Sequence, residues 1–157
     1  MLKGALLDTS FLIRLLLSSE ALHQQATSYY KYFLEQEIPL FISTISIAEY
    51  CVQGSIHELP LQQVQVLPFN LRDAENAGQL MNLLLTRKQL LQALGRKVVI
   101  NDVKLHAQAN VSAKIDAFVT ADSEGRKMYN AIHAQHPLHF IYIDIQTPYT
   151  ETFGILL

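Results

Sequence analysis

Five short apolar runs recur along the chain, at Ala5–Leu7, Leu40–Ile42, Val64–Leu67, Ala117–Thr120 and Phe140–Ile143. Between them the residues follow helical periodicity, at about 9–17, 21–36, 44–54, 71–94, 102–113 and 123–135. A strand that is apolar throughout must be covered on both faces, and strands that alternate with helices form parallel sheets through crossover connections. The expected fold is therefore α/β, with a central parallel sheet of about five strands flanked by helices on both faces. The Leu-rich 71–94 segment is followed by Gly95, which suits a helix stop. No repeat, low-complexity tract or flexible linker divides the chain, so residues 1–157 are expected to form a single domain. Half of the residues are hydrophobic and 17% are charged, which is enough apolar material for such a core and too much for a disordered chain.

Composition also excludes several classes of protein. No window reaches the ~18 uncharged apolar residues of a membrane helix. The opening MLKGALLDTSFLIRLLL superficially resembles a secretory leader, but Asp8 and Arg14 break its apolar stretch. A single cysteine, Cys51, excludes an internal disulfide framework and a cysteine-based zinc site. These features fit a soluble cytoplasmic protein. The formal net charge of −2 is not that of a basic nucleic-acid-binding domain, so any action on nucleic acid must come from a local site.

In open parallel sheets, ligands bind outside the carboxyl ends of the strands. Four carboxylates are expected to gather there. Asp8 closes the first strand in A-L-L-D-T-S, beside Thr9 and Ser10, and Glu49 lies next to an apolar stripe of Ile45, Ala48 and Val52 in the following helix. Asp102 stands where V-V-I-N-D turns into a helix, and Asp122 follows the fourth strand in F-V-T-A-D. Each has an ordinary reading by itself: Asp8 and Asp102 as helix caps, Asp122 as a turn, Glu49 as a solvated helix edge. Together they would repel one another and raise each other's pKa unless cations neutralised them. Mg²⁺ or Mn²⁺ is the natural counter-charge for an all-oxygen set, and such ions hydrolyse phosphodiesters by activating water. Asp116 enters the fourth strand where Asp122 leaves it, so it belongs at the opposite end of the sheet, more than ~15 Å away. Asp144, just after the last strand, falls at the same sheet end as the set but also reads as an edge-strand surface residue, and is left out of it.

These fragments also resemble a known family. L-L-D-T-S-F-L-I, I-S-x-A-E, N-D-V-x-L-x-A-x-A and F-V-T-A-D, in this order, resemble the PIN-domain nucleases, and most closely the VapC-type toxin ribonucleases of prokaryotic toxin–antitoxin pairs. The resemblance runs across essentially the whole chain. It implies a PIN-like fold, Mg²⁺- or Mn²⁺-dependent RNA cleavage, a homodimer and a small antitoxin partner whose C-terminal segment covers the acidic cleft. Carried over by position, Asp8, Glu49, Asp102 and Asp122 would be the catalytic and metal-binding set. Ser10 and Thr120 would be the hydroxyls that orient carboxylates or water. Asn101 before Asp102, and the long helical segment preceding it, depart from the usual pattern.

Other residues carry weaker signals. Arg14, Lys104, Arg126 and Lys127 fall near the proposed site and are candidate RNA-phosphate contacts. Asp102 and His106 share a helix face, which also allows a transition-metal pair. His133, His136 and His139 read as a surface cluster, Cys51 as a core thiol, and Tyr29, Tyr30, Tyr32 and Phe33 as an aromatic face for core or dimer packing. Two other functions compete with this one: a PIN-like RNA- or protein-binding module without catalysis, and an aspartyl-nucleophile phosphatase. The latter usually needs a second carboxylate at the position of Ser10.

Overall fold

The computed structural model describes residues 1–87, 92 and 100–155. Strands β1 (Ala5–Leu7), β2 (Leu40–Ser43), β3 (Val64–Leu67), β4 (Ala117–Thr120) and β5 (Ile141–Asp144) form one sheet in the order β3-β2-β1-β4-β5. Every neighbouring pair is parallel. The helices are α1 (Thr9–Leu16), α2 (His23–Glu35), α3 (Thr44–Tyr50), α4 (Leu71–Leu85), α5 (Ile100–Val111), α6 (Gly125–His133) and the short α7 (Tyr149–Thr152). The end of the expected 71–94 helix, and its stop at Gly95, fall largely outside the described residues. None of the described helices is long and apolar enough to cross a membrane.

Side chains alternate across a pleated strand, so each central strand feeds two cores. Ala5 and Leu7, Leu40 and Ile42, and Ala117 and Val119 face one core, with Phe11 and Leu12 of α1 and Tyr29 and Phe33 of α2. Leu6, Phe41 and Phe118 face the other, with Ala77, Leu80 and Leu84 of α4, Leu105 of α5 and Ile132 of α6. This two-sided burial explains why β1, β2 and β4 read as apolar runs. Asn70 starts α4 firmly: its side chain accepts from the backbone N–H groups of Arg72 and Asp73, while Asp73 accepts from the Asn70 N–H.

The aromatic face of α2 is core packing within the chain. Tyr32 stacks on Phe153 with ring centroids 4.6 Å apart, and the Tyr29 hydroxyl donates to the Thr147 carbonyl at 2.7 Å. Two expectations need correction. α3 ends at Tyr50 rather than near residue 54, and its buried residues are Ser46 and Tyr50, whereas Ala48 and Val52 are exposed. Tyr50 turns inward, with its hydroxyl donating to Glu58 at 3.0 Å, and Cys51 just beyond the helix is exposed rather than a core thiol.

The chain runs outward from β1 through β2 to β3, then returns to place β4 on the other side of β1. That reversal opens a crevice at the carboxyl ends of β1 and β4, the position where open α/β sheets bind ligands.

Candidate active site

Asp8 is the first residue beyond β1, and its carboxylate faces this crevice rather than capping α1. The Ser10 and Thr120 hydroxyls both donate to Asp8 Oδ2, at 2.6 and 2.8 Å, and stand 3.0 Å from each other. The same two hydroxyls accept from the loop after β4: Ala121 N–H donates to Ser10 Oγ and Asp122 N–H to Thr120 Oγ1, each at 3.0 Å. A two-hydroxyl relay thus ties the end of β1 to the backbone that carries Asp122. The Asp122 side chain itself accepts from the Glu124 N–H at 2.9 Å, which sets the turn into α6.

Glu49 reaches the site from α3. Thr9 Oγ1 donates to its Oε2 at 2.5 Å and Asn101 Nδ2 to its Oε1 at 2.7 Å. Sequence reasoning left both donors out of the site. Thr9 was visible only as part of a polar strand end. Asn101 stood out as a helix cap and as a departure from pattern, yet its side chain donates to Glu49 from α5. Asp102 follows it, in the first turn of that helix.

The charges of the other three carboxylates bear on Asp102. Asp102 is pushed up to about 7, first by burial and then by the charges of Asp8, Asp122 and Glu49. Asp8 is also raised, chiefly by burial and slightly by Glu49, against the hydrogen bonds from Ser10, Thr120 and the Thr9 backbone. Among the described residues no three His, Cys, Asp or Glu side chains form a ready-made cage for a metal ion. The donor set is nonetheless all oxygen, and among the described residues none of the four carboxylates forms a salt bridge. It fits a hard cation such as Mg²⁺, which takes one or two carboxylates directly and keeps several of its waters.

Asp116 lies at the other end of the sheet, where its carboxylate accepts from the Lys3 and Gly4 N–H groups. Asp144, buried rather than on the surface, pairs in register with Thr120 and accepts from the Gln146 N–H at 2.9 Å to form a turn. His106 is fully buried, with Nδ1 2.7 Å from the Asp102 carbonyl oxygen, and among the described residues no cluster of three ligating side chains includes it.

The four candidate phosphate contacts separate. Arg14 lines a groove of about 760 Å³ that runs past Thr9, Glu49 and Tyr50 between α1 and α3. Lys104 borders an apolar hollow with Phe69, Met81 and Val103. Arg126 lies over the Tyr142 ring, 5.0 Å from its centroid, and Lys127 pairs with Glu124 at 3.3 Å on the open surface.

No family model matches the sequence, and no curated protein matches it. The fold, however, is shared with solved structures. Against VapBC2 from Rickettsia felis bound to a DNA fragment from their promoter, the TM-score is 0.61 at 18% identity, covering 89% of this chain and 98% of that one. Against FitAcB from Neisseria gonorrhoeae it is 0.60 at 14% identity, covering 90% and 98%. Against VapBC-1 from nontypeable Haemophilus influenzae it is 0.55 at 19% identity, covering 91% and 98%. The architecture is thus the PIN-like one, a five-stranded parallel sheet with flanking helices.

Proposed function

We propose that this chain is a divalent-metal-dependent endoribonuclease, the toxin of a toxin–antitoxin pair, acting in the cytoplasm as a single PIN-like domain over residues 1–157. One observation carries the reading: at the crevice between β1 and β4 burial, and after it the charges of Asp8, Asp122 and Glu49, bring the Asp102 carboxyl to about 7. Burying unpaired like charges is costly, and a fold that does so is built for a cation. The fold shared with VapBC structures supports the same reading, and supports an antitoxin as partner.

Asp8, Glu49, Asp102 and Asp122 would hold Mg²⁺ or Mn²⁺. Such an ion supplies a water of lowered pKa and positive charge against the developing charge on a phosphodiester. The protein's part is positioning. Ser10 and Thr120 fix the Asp8 carboxylate and the Asp122 backbone together, while Thr9 and Asn101 fix Glu49. Asp122, the most exposed of the four, and Glu49 would orient or deprotonate the attacking water. Arg14 is the cation best placed to meet an RNA phosphate, because it lines the same groove as Glu49. In a homodimer, two such sites would serve one RNA.

The test is cleavage of a mixed RNA pool by the pure protein with Mg²⁺, with Mn²⁺ and with chelator, beside an Asp8→Asn, Asp102→Asn double variant of unchanged circular dichroism. Cuts that need the ion and vanish in the variant are expected. Cuts that persist in the variant, or a wild type that never cuts RNA with either ion, would overturn the assignment.

A further inference from the structure

Beneath the carboxylates lies a buried aromatic cluster that this function does not use. His106 is one helical turn below Asp102 on α5 and is 1% exposed. Its ring is surrounded by Phe118, Phe140, Tyr142 and Tyr129, with centroids at 4.8, 5.6, 6.0 and 6.2 Å. The Asp102 carbonyl can only accept, so the 2.7 Å contact places the proton on Nδ1. The other ring nitrogen, Nε2, is then a bare acceptor, and among the described residues it has no partner. A buried polar atom without a partner is destabilising, so an apolar ring would serve the core better. Packing alone gives no reason for a histidine here.

The neighbouring Tyr142 supplies one. Its ring stacks on His106 at an interplanar angle of 29°, and its hydroxyl donates to the Asp122 carbonyl at 2.6 Å. Gly125 makes room for that hydroxyl: a Cβ there would lie 2.5 Å from the Tyr142 oxygen. Arg126, the next residue, closes over the other part of the ring. Two stacked side chains therefore each grip one carbonyl, and the two carbonyls belong to Asp102 and Asp122, on different elements.

We infer that His106 and Tyr142 form a brace that fixes the spacing between Asp102 and Asp122, with the Nδ1–H of one and the hydroxyl of the other as its two grips. The inference rests on the metal-binding reading of those carboxylates. Both are positioning residues. They touch neither substrate nor ion, and act only through the backbone of the two aspartates.

The test measures Mn²⁺ binding to the full chain by calorimetry, with thermal melting of the ion-free proteins alongside. His106→Phe keeps the stacked ring, removes the donor and also removes the orphan Nε2. It should melt no lower than wild type yet bind Mn²⁺ about tenfold more weakly, the scale of losses seen when partners behind metal ligands are removed. Tyr142→Phe keeps its ring, loses only the hydroxyl and should weaken binding similarly. The double variant should lose little more than either single one, because a brace released at one end is already released. Wild-type binding with unchanged affinity in both Phe variants would overturn the brace and leave the metal site standing. So would affinity losses that merely follow losses of melting temperature. A wild type that does not bind Mn²⁺ would overturn the metal reading and the brace with it.

Discussion

Replacing Asp102 by Asn tests the crowding of the carboxylates without any catalysis. The carboxyl stands at about 7 in the fold against an ordinary 3.8. At ~1.4 kcal/mol per pH unit, that difference amounts to a ceiling of about 4 kcal/mol, which solvent screening of a half-buried group brings to about 2 kcal/mol. The sign follows from linkage. Below pH ~4 both folded and unfolded chains hold the proton, so Asp102 contributes nothing. Between ~4 and ~7 the unfolded chain ionises first, so the ion-free fold loses stability as pH rises, and above ~7 the loss is complete. His106 runs the other way. Burial holds it down to about 4, so it stays neutral in the fold, while the unfolded chain takes up its proton below ~6.5 and the fold loses stability as pH falls. The two slopes oppose each other over the same window, and the wild-type profile alone would conceal both. The informative quantity is the difference between variant and wild type at each pH, read from urea unfolding in chelator between pH 4 and 8.5. Seven tyrosines and no tryptophan make tyrosine fluorescence the probe. Asp102→Asn should match wild type near pH 4 and exceed it by about 2 kcal/mol above pH ~7.5. Adding Mn²⁺ at pH 7.5 should then stabilise the wild type more than the variant. A variant-minus-wild-type difference that is the same at pH 5 and at pH 8 would refute the raised Asp102 carboxyl on which this account of the site rests.

Three other perturbations separate the parts of this structure. Thr120→Val removes one hydroxyl from Asp8 and leaves the Asp122 N–H without its acceptor; urea unfolding should show a loss of about 1–3 kcal/mol, and calorimetry weaker Mn²⁺ binding. Asn101→Asp replaces a donor to Glu49 by a fifth negative charge; the variant should melt below wild type in chelator, with the gap narrowing when Mn²⁺ is added. Phe153→Ala removes the ring stacked on Tyr32 at the far end of α2 and should cost about 2 kcal/mol in urea unfolding, with Mn²⁺ affinity unchanged.

The central strands were legible because burial on both faces leaves apolar runs with sharp polar ends. β1, β3 and β4 have the expected limits. β2 runs one residue further, since Ser43 both closes the strand and caps α3 by accepting from the Ile45 N–H. β5 is displaced by one, because Asp144 pairs in register with Thr120 and so belongs to the strand rather than to the turn after it. The segments carrying the four carboxylates were readable from the rule that loops at strand ends converge. Their supporting partners were not. Asn101 and Glu49 are 52 positions apart, and no local pattern couples them. The stripe assigned to α3 failed for a related reason. A helix of only seven residues has too few turns for periodicity to fix its buried face, which Ser46 and Tyr50 supply instead. For His106, helical spacing gives the face shared with Asp102, which only allowed a ligand pair, but not which way an imidazole turns.

The position of β1 has a consequence for the order in which the chain folds. It is the first strand in sequence and the middle strand of the sheet, and its partner on one side, β4, begins 110 residues after Leu7, at Ala117. As the chain leaves the ribosome, β1 can pair with β2 early, but its other edge waits until β4 arrives. Contacts so distant in sequence form slowly, because the entropy of closing the loop must be met before the pairing rewards it. The hydroxyl relay between Ser10 and Thr120 closes in the same event. A nascent or truncated chain that lacks β4 therefore carries Asp8 and Glu49 without the other half of the crevice. The chemistry of the site is withheld until most of the polypeptide has been made.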